Sequence, residues 1–198
     1  MLSACSSLYK KLQKAEGDMN CIRKFKPLFE TAYYETEVEI LSHQLSGILI
    51  LKKMPDSNLR IVFSTKPGIK LFDFEFSKDS TFKVLYVMDQ LDKKAVIKTL
   101  RKDFELILFM NTDPNKGHLL RDTGQFYFAF PQESGTNYYI TDNSCSRLYR
   151  LERASKRKVI VEAIMNNYQQ GMPDTIGIEH KNFHFTMGLK KMNEATQK

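Results

Sequence analysis

The sequence predicts a mainly β, α+β fold: a long, curved antiparallel sheet of about eleven strands, with one amphipathic helix over its concave face. Three observations carry this. Apolar residues alternate with polar ones through much of the chain, the period of a half-buried strand. Turn-forming residues punctuate the runs, and the short gaps between them imply hairpins. One segment alone switches to the 3.6-residue period of a helix.

The strands follow in order. Segment 46–53 holds Ile48, Leu49, Ile50 and Leu51, apolar on both faces, so it is expected to be covered on both sides. Leu59, Ile61 and Phe63 alternate with Asn58, Arg60 and Ser64. Phe72, Phe74 and Phe76 alternate with Asp73 and Glu75, whose carboxylates are expected to face solvent. Phe82, Val84, Tyr86 and Met88 complete the first half. Over 93–109, Val96, Ile97, Leu100, Phe104, Ile107 and Leu108 share one helical face, with Asp92 or Asp89 as the expected cap. Four further sets follow: Phe126, Phe128 and Phe130; Val159, Val161 and Ala163; Ile176 and Ile178; then Phe183, Phe185, Met187 and Leu189. About five strands thus precede the helix and six follow it. The helix needs an apolar surface to cover, and the sheet offers one.

No repeat or linker divides residues 27–192, so they read as one domain, followed by a tail at 193–198. With 198 residues, 42% of them hydrophobic and 27% charged, the chain is neither disordered nor collagen-like. No run approaches the ~18 apolar residues of a membrane helix. The net charge of +7 is unevenly placed. Residues 1–27 carry +4, 93–102 carry +5 and 147–158 carry +5, leaving −7 for the remainder. Lys94, Lys98, Arg101, Arg153, Lys156, Arg157 and Lys158 make the expected basic surface, suited to an anionic lipid surface or an acidic protein partner. Nucleic acid fits poorly: no binding motif is present, and the aromatics alternate with apolar neighbours.

Leu2-Ser3-Ala4-Cys5 has the form of a bacterial lipobox: an aliphatic residue, two small ones for the peptidase pocket, and a thiol to receive diacylglycerol. Lipidation at Cys5 is expected, with the signal-peptide regions that should precede it incomplete here. Residues 1–26 then read as lipobox, a polar tether from Ser6-Ser7, and a basic segment with Leu8, Leu12 and Ala15 near helical spacing. Cys21 and Cys145 either pair, in an oxidising compartment, or stay as thiols. His180 and His184 share one face of a strand, too far apart to hold a metal easily, and are expected in solvent opposite Phe183 and Phe185. Nucleophile, phosphate-loop and metalloprotease motifs are absent, so no enzyme, cofactor or metal is expected.

These features resemble the LolA/LolB lipoprotein carrier and receptor family. The resemblance rests on the lipobox before a tether, on the paired strands at 59–76 around Lys66-Pro67-Gly68, and on the order strands, helix, strands. It implies an open half-barrel with a helical lid and a lumen for acyl chains. Apolar cavity positions would be Phe63, Phe72, Phe74, Phe76, Leu100, Phe104, Phe126, Phe128, Phe130, Phe183, Phe185 and Met187. The protein would be a monomeric, LolB-like receptor, lipid-anchored in the outer membrane and facing the periplasm, taking lipoprotein acyl chains from a soluble acidic carrier. An envelope scaffold that binds a protein partner is the alternative. In the receptor, an exposed Leu between Pro and Gly forms a membrane tip. Here Pro67 and Gly68 are adjacent and Ile69 follows, either as that tip or as the first core residue of the next strand.

Overall fold

The computed structural model describes residues 8–40, 43–79 and 81–192. Six strands precede the helix: β1 (Gln13–Lys14), β2 (Thr31–Ile40), β3 (His43–Lys53), β4 (Leu59–Ser64), β5 (Lys70–Phe76) and β6 (Phe82–Val87). The helix α1 (Lys94–Ile107) follows. Seven strands come after it: β7 (His118–Arg121), β8 (Gln125–Pro131), β9 (Thr136–Asp142), β10 (Leu148–Ala154), β11 (Val159–Gln169), β12 (Met172–His180) and β13 (Phe185–Lys191). All thirteen form one sheet in the order β1-β7-β8-β9-β10-β11-β12-β13-β2-β3-β4-β5-β6. Every pairing is antiparallel, and among the described residues β1 and β6 are the edges. Two meanders, β2 to β6 and β7 to β13, meet at the β13–β2 seam, where Phe185 faces Ile40.

The sheet is strongly curled, because strands far apart in it touch one helix. Phe104 of α1 meets Phe72 of β5 at 6.0 Å between ring centroids. The Leu106 carbonyl accepts from the Tyr139 hydroxyl of β9 at 3.2 Å. Asp103 reaches both Arg153 of β10 and His180 of β12. Thus α1 fills the concave side, with Leu100, Phe104, Leu106 and Ile107 buried there. It starts at Lys94 after the extended residue Lys93, without a side-chain cap; Asp89 lies instead in a short 3₁₀ turn.

The alternation holds in β2, β3, β4 and β13, but not in β6, an edge strand whose Val84, Leu85 and Tyr86 are all exposed instead of alternating. Leu49 and Leu51 point into the core, while Ile48 and Ile50 stay half-buried on the outer face. Phe72, Phe74 and Phe76 are buried as expected. Asp73 corrects the reading of this strand, because it is buried, not solvent-facing. It sits beside Arg60 and is clamped by Arg60 Nη2 at 2.6 Å and Lys70 Nζ at 3.1 Å. Burial alone would raise its carboxyl pKa, but the hydrogen bonds from Arg60 and Lys70 outweigh it and hold it below the ordinary value. A depressed folded pKa gives stability that is present above about pH 4 and is lost as pH falls through the folded value. Asp73→Asn should therefore be less stable than wild type at pH 7, with the gap shrinking at pH 3. Urea midpoints at the two pH values test this.

The basic segment that follows Ser7 is attached to the sheet. Tyr9 and Leu12 lie on the convex face, β1 extends the edge of the sheet by pairing with β7, and Ala15 turns to the main core. The Tyr9 ring stacks on Tyr138 at 4.3 Å, and its hydroxyl donates to Glu152. Tyr9, Leu12 and Leu120 cover a second apolar cluster of Tyr127, Ala129, Tyr138, Ile140 and Ala154. Instead of a helix, Leu8–Lys11 forms one 3₁₀ turn. A disulfide joins Cys21, in the 3₁₀ segment Met19–Phe25, to Cys145 in the turn after β9, with Cα atoms 6.5 Å apart.

Candidate functional site: a groove at the mouth of the sheet

The concave interior is packed with side chains. Phe63 meets Phe72 at 5.6 Å, Phe72 meets Phe74 at 4.5 Å and Phe74 meets Phe82 at 5.2 Å. Ten of the twelve expected cavity positions are buried in this cluster: Phe63, Phe72, Phe74, Phe76, Leu100, Phe104, Phe128, Phe130, Phe185 and Met187. Phe126 is half-buried, at a shallow hollow beside Lys11 and Arg121. Phe183 departs from the expectation. It lies in the turn before β13, 37% exposed, because the strand starts two residues later.

Open space lies at one mouth of the curled sheet, as a groove of about 980 Å³. Only Phe76 and Phe130 of the expected positions line it. Its apolar wall is completed by Phe29 before β2, Leu59 at the start of β4, and Leu108, Phe109 and Met110 beyond α1. This volume is in the range of small-molecule sites.

The end of α1 builds one wall by an unusual route. Phe109 donates to the Leu106 carbonyl at 3.2 Å and Met110 to the Glu105 carbonyl at 2.9 Å, the paired bonds of a Schellman ending. That ending places its last residue in the left-handed region, normally a glycine. Here it is Phe109, with φ 53°. Such a backbone costs a bulky L-residue about 1–2 kcal/mol. The ring offsets this by packing on Tyr139 at 4.3 Å and closing the wall. Asn111, at φ 57°, repeats the conformation on the rim.

Charges ring the groove. Arg101 pairs with Glu105 at 2.7 Å and lies 5.2 Å over the Phe82 ring. Lys53 pairs with Glu30 at 3.3 Å. A second hollow of about 390 Å³ shares Arg101, Glu105, Asn111, Gln132 and Glu133 with the first, so the two adjoin. It runs along the outer face of α1 past Lys94, Lys98 and Lys102. The Lys102 ammonium is pushed below its usual pKa by burial, then by the charges of Arg153 and Lys98, with Glu105 and Glu133 acting against them.

Lys94 and Lys98 are exposed on this face and Arg101 half-exposed; Lys156, Arg157 and Lys158 are exposed at the β10–β11 hairpin. Arg153 is not part of the basic surface. It is buried on the concave side, donating from Nη2 to Asp103 Oδ1 at 3.1 Å. His180 is likewise buried, not in solvent, with Nε2 2.8 Å from Asp103 Oδ2 and its ring between Phe183 and Phe185. Arg153 and His180 face inward because they flank a helix that carries a buried carboxylate. Asp103 went unread as a site residue, since a single Asp in a Lys-rich helix carries no signal of its own. His184 is the exposed member of the pair, 3.0 Å from Glu39.

The opposite, convex face of β2, β3 and β11 to β13 is acidic, with Glu37, Glu39, Glu162 and Glu179 around a shallow hollow. Ile69 sits at the tip of the β4–β5 hairpin after Gly68, 56% exposed, so it is not a core residue. Cys5 lies outside the described residues, as does the 193–198 tail. Among the described residues, no helix is long and apolar enough to cross a membrane, and no three His, Cys, Asp or Glu side chains gather as metal ligands.

No protein-family model matches the sequence, and no curated protein matches it. Solved structures do match the fold. A LolA-superfamily protein from Nitrosomonas europaea superposes with a TM-score of 0.56 at 9% identity, over 90% of this chain and 93% of that one. A DUF1329-family protein from Desulfovibrio piger gives 0.48 at 9% identity, over 87% and 88% of the two chains. A domain assigned to outer membrane lipoprotein sorting in Vibrio parahaemolyticus gives 0.48 at 8%, over 88% and 90%. In its open, helix-filled antiparallel sheet, the chain shares its fold with the LolA-superfamily protein from Nitrosomonas europaea.

Proposed function

We propose that this protein is a non-catalytic carrier that binds acyl chains in the mouth groove and passes them on, in the manner of a LolB-like receptor for lipoproteins. The carrying observation is the groove itself: about 980 Å³ of open space walled by Phe29, Phe76, Phe109, Met110 and Phe130, beside a packed core. Each CH₂ withdrawn from water is worth ~0.8 kcal/mol, so about ten carbons of a sixteen-carbon chain correspond to micromolar binding. The LolA-superfamily fold supports the reading. So does the Cys21–Cys145 disulfide, which suits an oxidising envelope compartment. Lipidation at Cys5 would hold the protein at the outer membrane, facing the periplasm, with Ile69 as a membrane-touching tip. Lys94, Lys98, Arg101, Lys156, Arg157 and Lys158 would meet anionic lipid or an acidic carrier protein.

The test is displacement of a fluorescent fatty-acyl probe. Met110→Trp fills the groove from its half-buried wall and should weaken probe binding at least tenfold, with the urea midpoint unchanged. Undiminished binding in that variant would move the acyl chain out of the groove. Separately, Cys5→Ser should abolish metabolic palmitate labelling and release the protein from membranes.

A second reading, an envelope scaffold, draws on the other free surface. Edge strand β6 exposes Val84, Leu85 and Tyr86, and an apolar, unpaired edge invites strand addition by another protein. Capture of a protein partner that acyl competitors leave untouched would favour it.

A further inference from the structure

We infer that the groove takes an anionic amphiphile, whose negatively charged head sits on the shelf formed by Lys94, Lys98 and Lys102 while its tail lies in the mouth groove. The inference rests on the acyl-binding reading and adds the chemistry of the head. Its basis is the adjacency of the two hollows. The groove and the 390 Å³ hollow along α1 share five lining residues, including Arg101 and Gln132, so they adjoin and one extended molecule could reach from one into the other.

The two ends differ in kind. At the groove end, Phe29, Phe76, Phe109 and Phe130 supply aromatic surface inside a charged rim. At the shelf end, the helix repeat stacks Lys94, Lys98 and Lys102 one turn apart along one face. Arg101 is already satisfied by Glu105 at 2.7 Å. The three lysines form no ion pair among the described residues, and only Glu105 and Glu133 oppose them in the hollow. Behind the shelf stands the buried Arg153 guanidinium, whose field adds to that of Lys98 at Lys102. Lys102 is partly buried there, its charge disfavoured by both. An anion on the shelf would relieve this repulsion, and because Lys94 and Lys98 are exposed the gain should be largest at low salt. Ser134 and Gln132, on the β8–β9 hairpin, supply neutral polar groups at its far side.

Three probes with the same sixteen-carbon tail make the test: hexadecyl phosphate, hexadecylphosphocholine and the uncharged hexadecyl glyceryl ether, titrated below their micellar concentrations. The expected result is at least tenfold tighter binding of hexadecyl phosphate than of the neutral ether. The preference should shrink as salt is raised. Lys98→Glu/Lys102→Glu should abolish the preference while leaving binding of the neutral ether unchanged. Equal affinity for all three probes overturns the inference and leaves acyl binding standing. Binding of none of them overturns both. Inorganic phosphate at millimolar concentration should compete poorly; if it displaces hexadecyl phosphate fully, the site reads a free anion and the amphiphile assignment fails.

Discussion

Asp103→Ala is expected to destabilise the protein by about 3–5 kcal/mol, the cost of leaving one member of a buried ionic cluster uncompensated. Asp103 is fully buried on α1 and accepts from Arg153 at 3.1 Å and meets His180 at 2.8 Å. Without it, a guanidinium only 8% exposed keeps its charge with no counter-ion. The site is already demanding, since Arg153 Nη1 and His180 Nδ1 find no partner among the described residues. Removing all three polar groups should cost much less than removing one. Asp103→Leu/Arg153→Met/His180→Phe is predicted to recover most of the lost stability, because apolar replacements of similar volume need no pairing. Denaturant midpoints of the single and triple variants decide this. A loss under about 1 kcal/mol in Asp103→Ala would mean that the cluster is well hydrated.

Breaking the Cys21–Cys145 bridge is the second large effect. It closes 124 residues, and chain entropy for a loop of that size corresponds to about 5 kcal/mol, with about 2–4 kcal/mol the usual measured yield. The bridge pins the Met19–Phe25 segment, with its buried Ile22 and Phe25, against the turn after β9. Cys21→Ser/Cys145→Ser should therefore lower the urea midpoint strongly. Reductant should do the same to wild type and nothing to the double variant. Equal midpoints with and without reductant in wild type would refute the contribution.

How far the sequence reveals this molecule depends on how many sides of each segment are covered. β4 and β13 have one wetter face, and their alternating apolar residues Ile61, Phe63, Phe185, Met187 and Leu189 are legible; β5 and β8 are legible from their alternating Phe residues although both faces are buried over much of each strand. In β9 the run Asn137 to Thr141 is buried throughout, with Phe109 on one side and Tyr9 on the other, so no period survives. In β10 Glu152 and Arg153 are buried, and charged residues in sequence read as surface. The Asp103 cluster spans separations of 50 and 77 residues, and no local pattern links its members. The groove is hidden for a similar reason. Its wall is gathered from residue 26 to residue 133, and only the curl of the sheet makes those pieces neighbours. Phe109 adds a further obstacle, for helix-ending rules look for glycine at its position.

The seam between β13 and β2 also fixes when the sheet can be finished. It joins residue 40 to residue 185, almost the whole described length of the chain. On a ribosome or a translocation pore, β2 to β6 emerge first, with the hydrogen-bonding edge of β2 open until the last strand arrives. Pairings this remote in sequence pay their loop-closure entropy before contacts repay it, which puts the chain among slow folders. A nascent chain missing only β13 would present two unsatisfied half-sheets, with apolar Val38 and Ile40 at the waiting edge, and would be the species most in need of a chaperone.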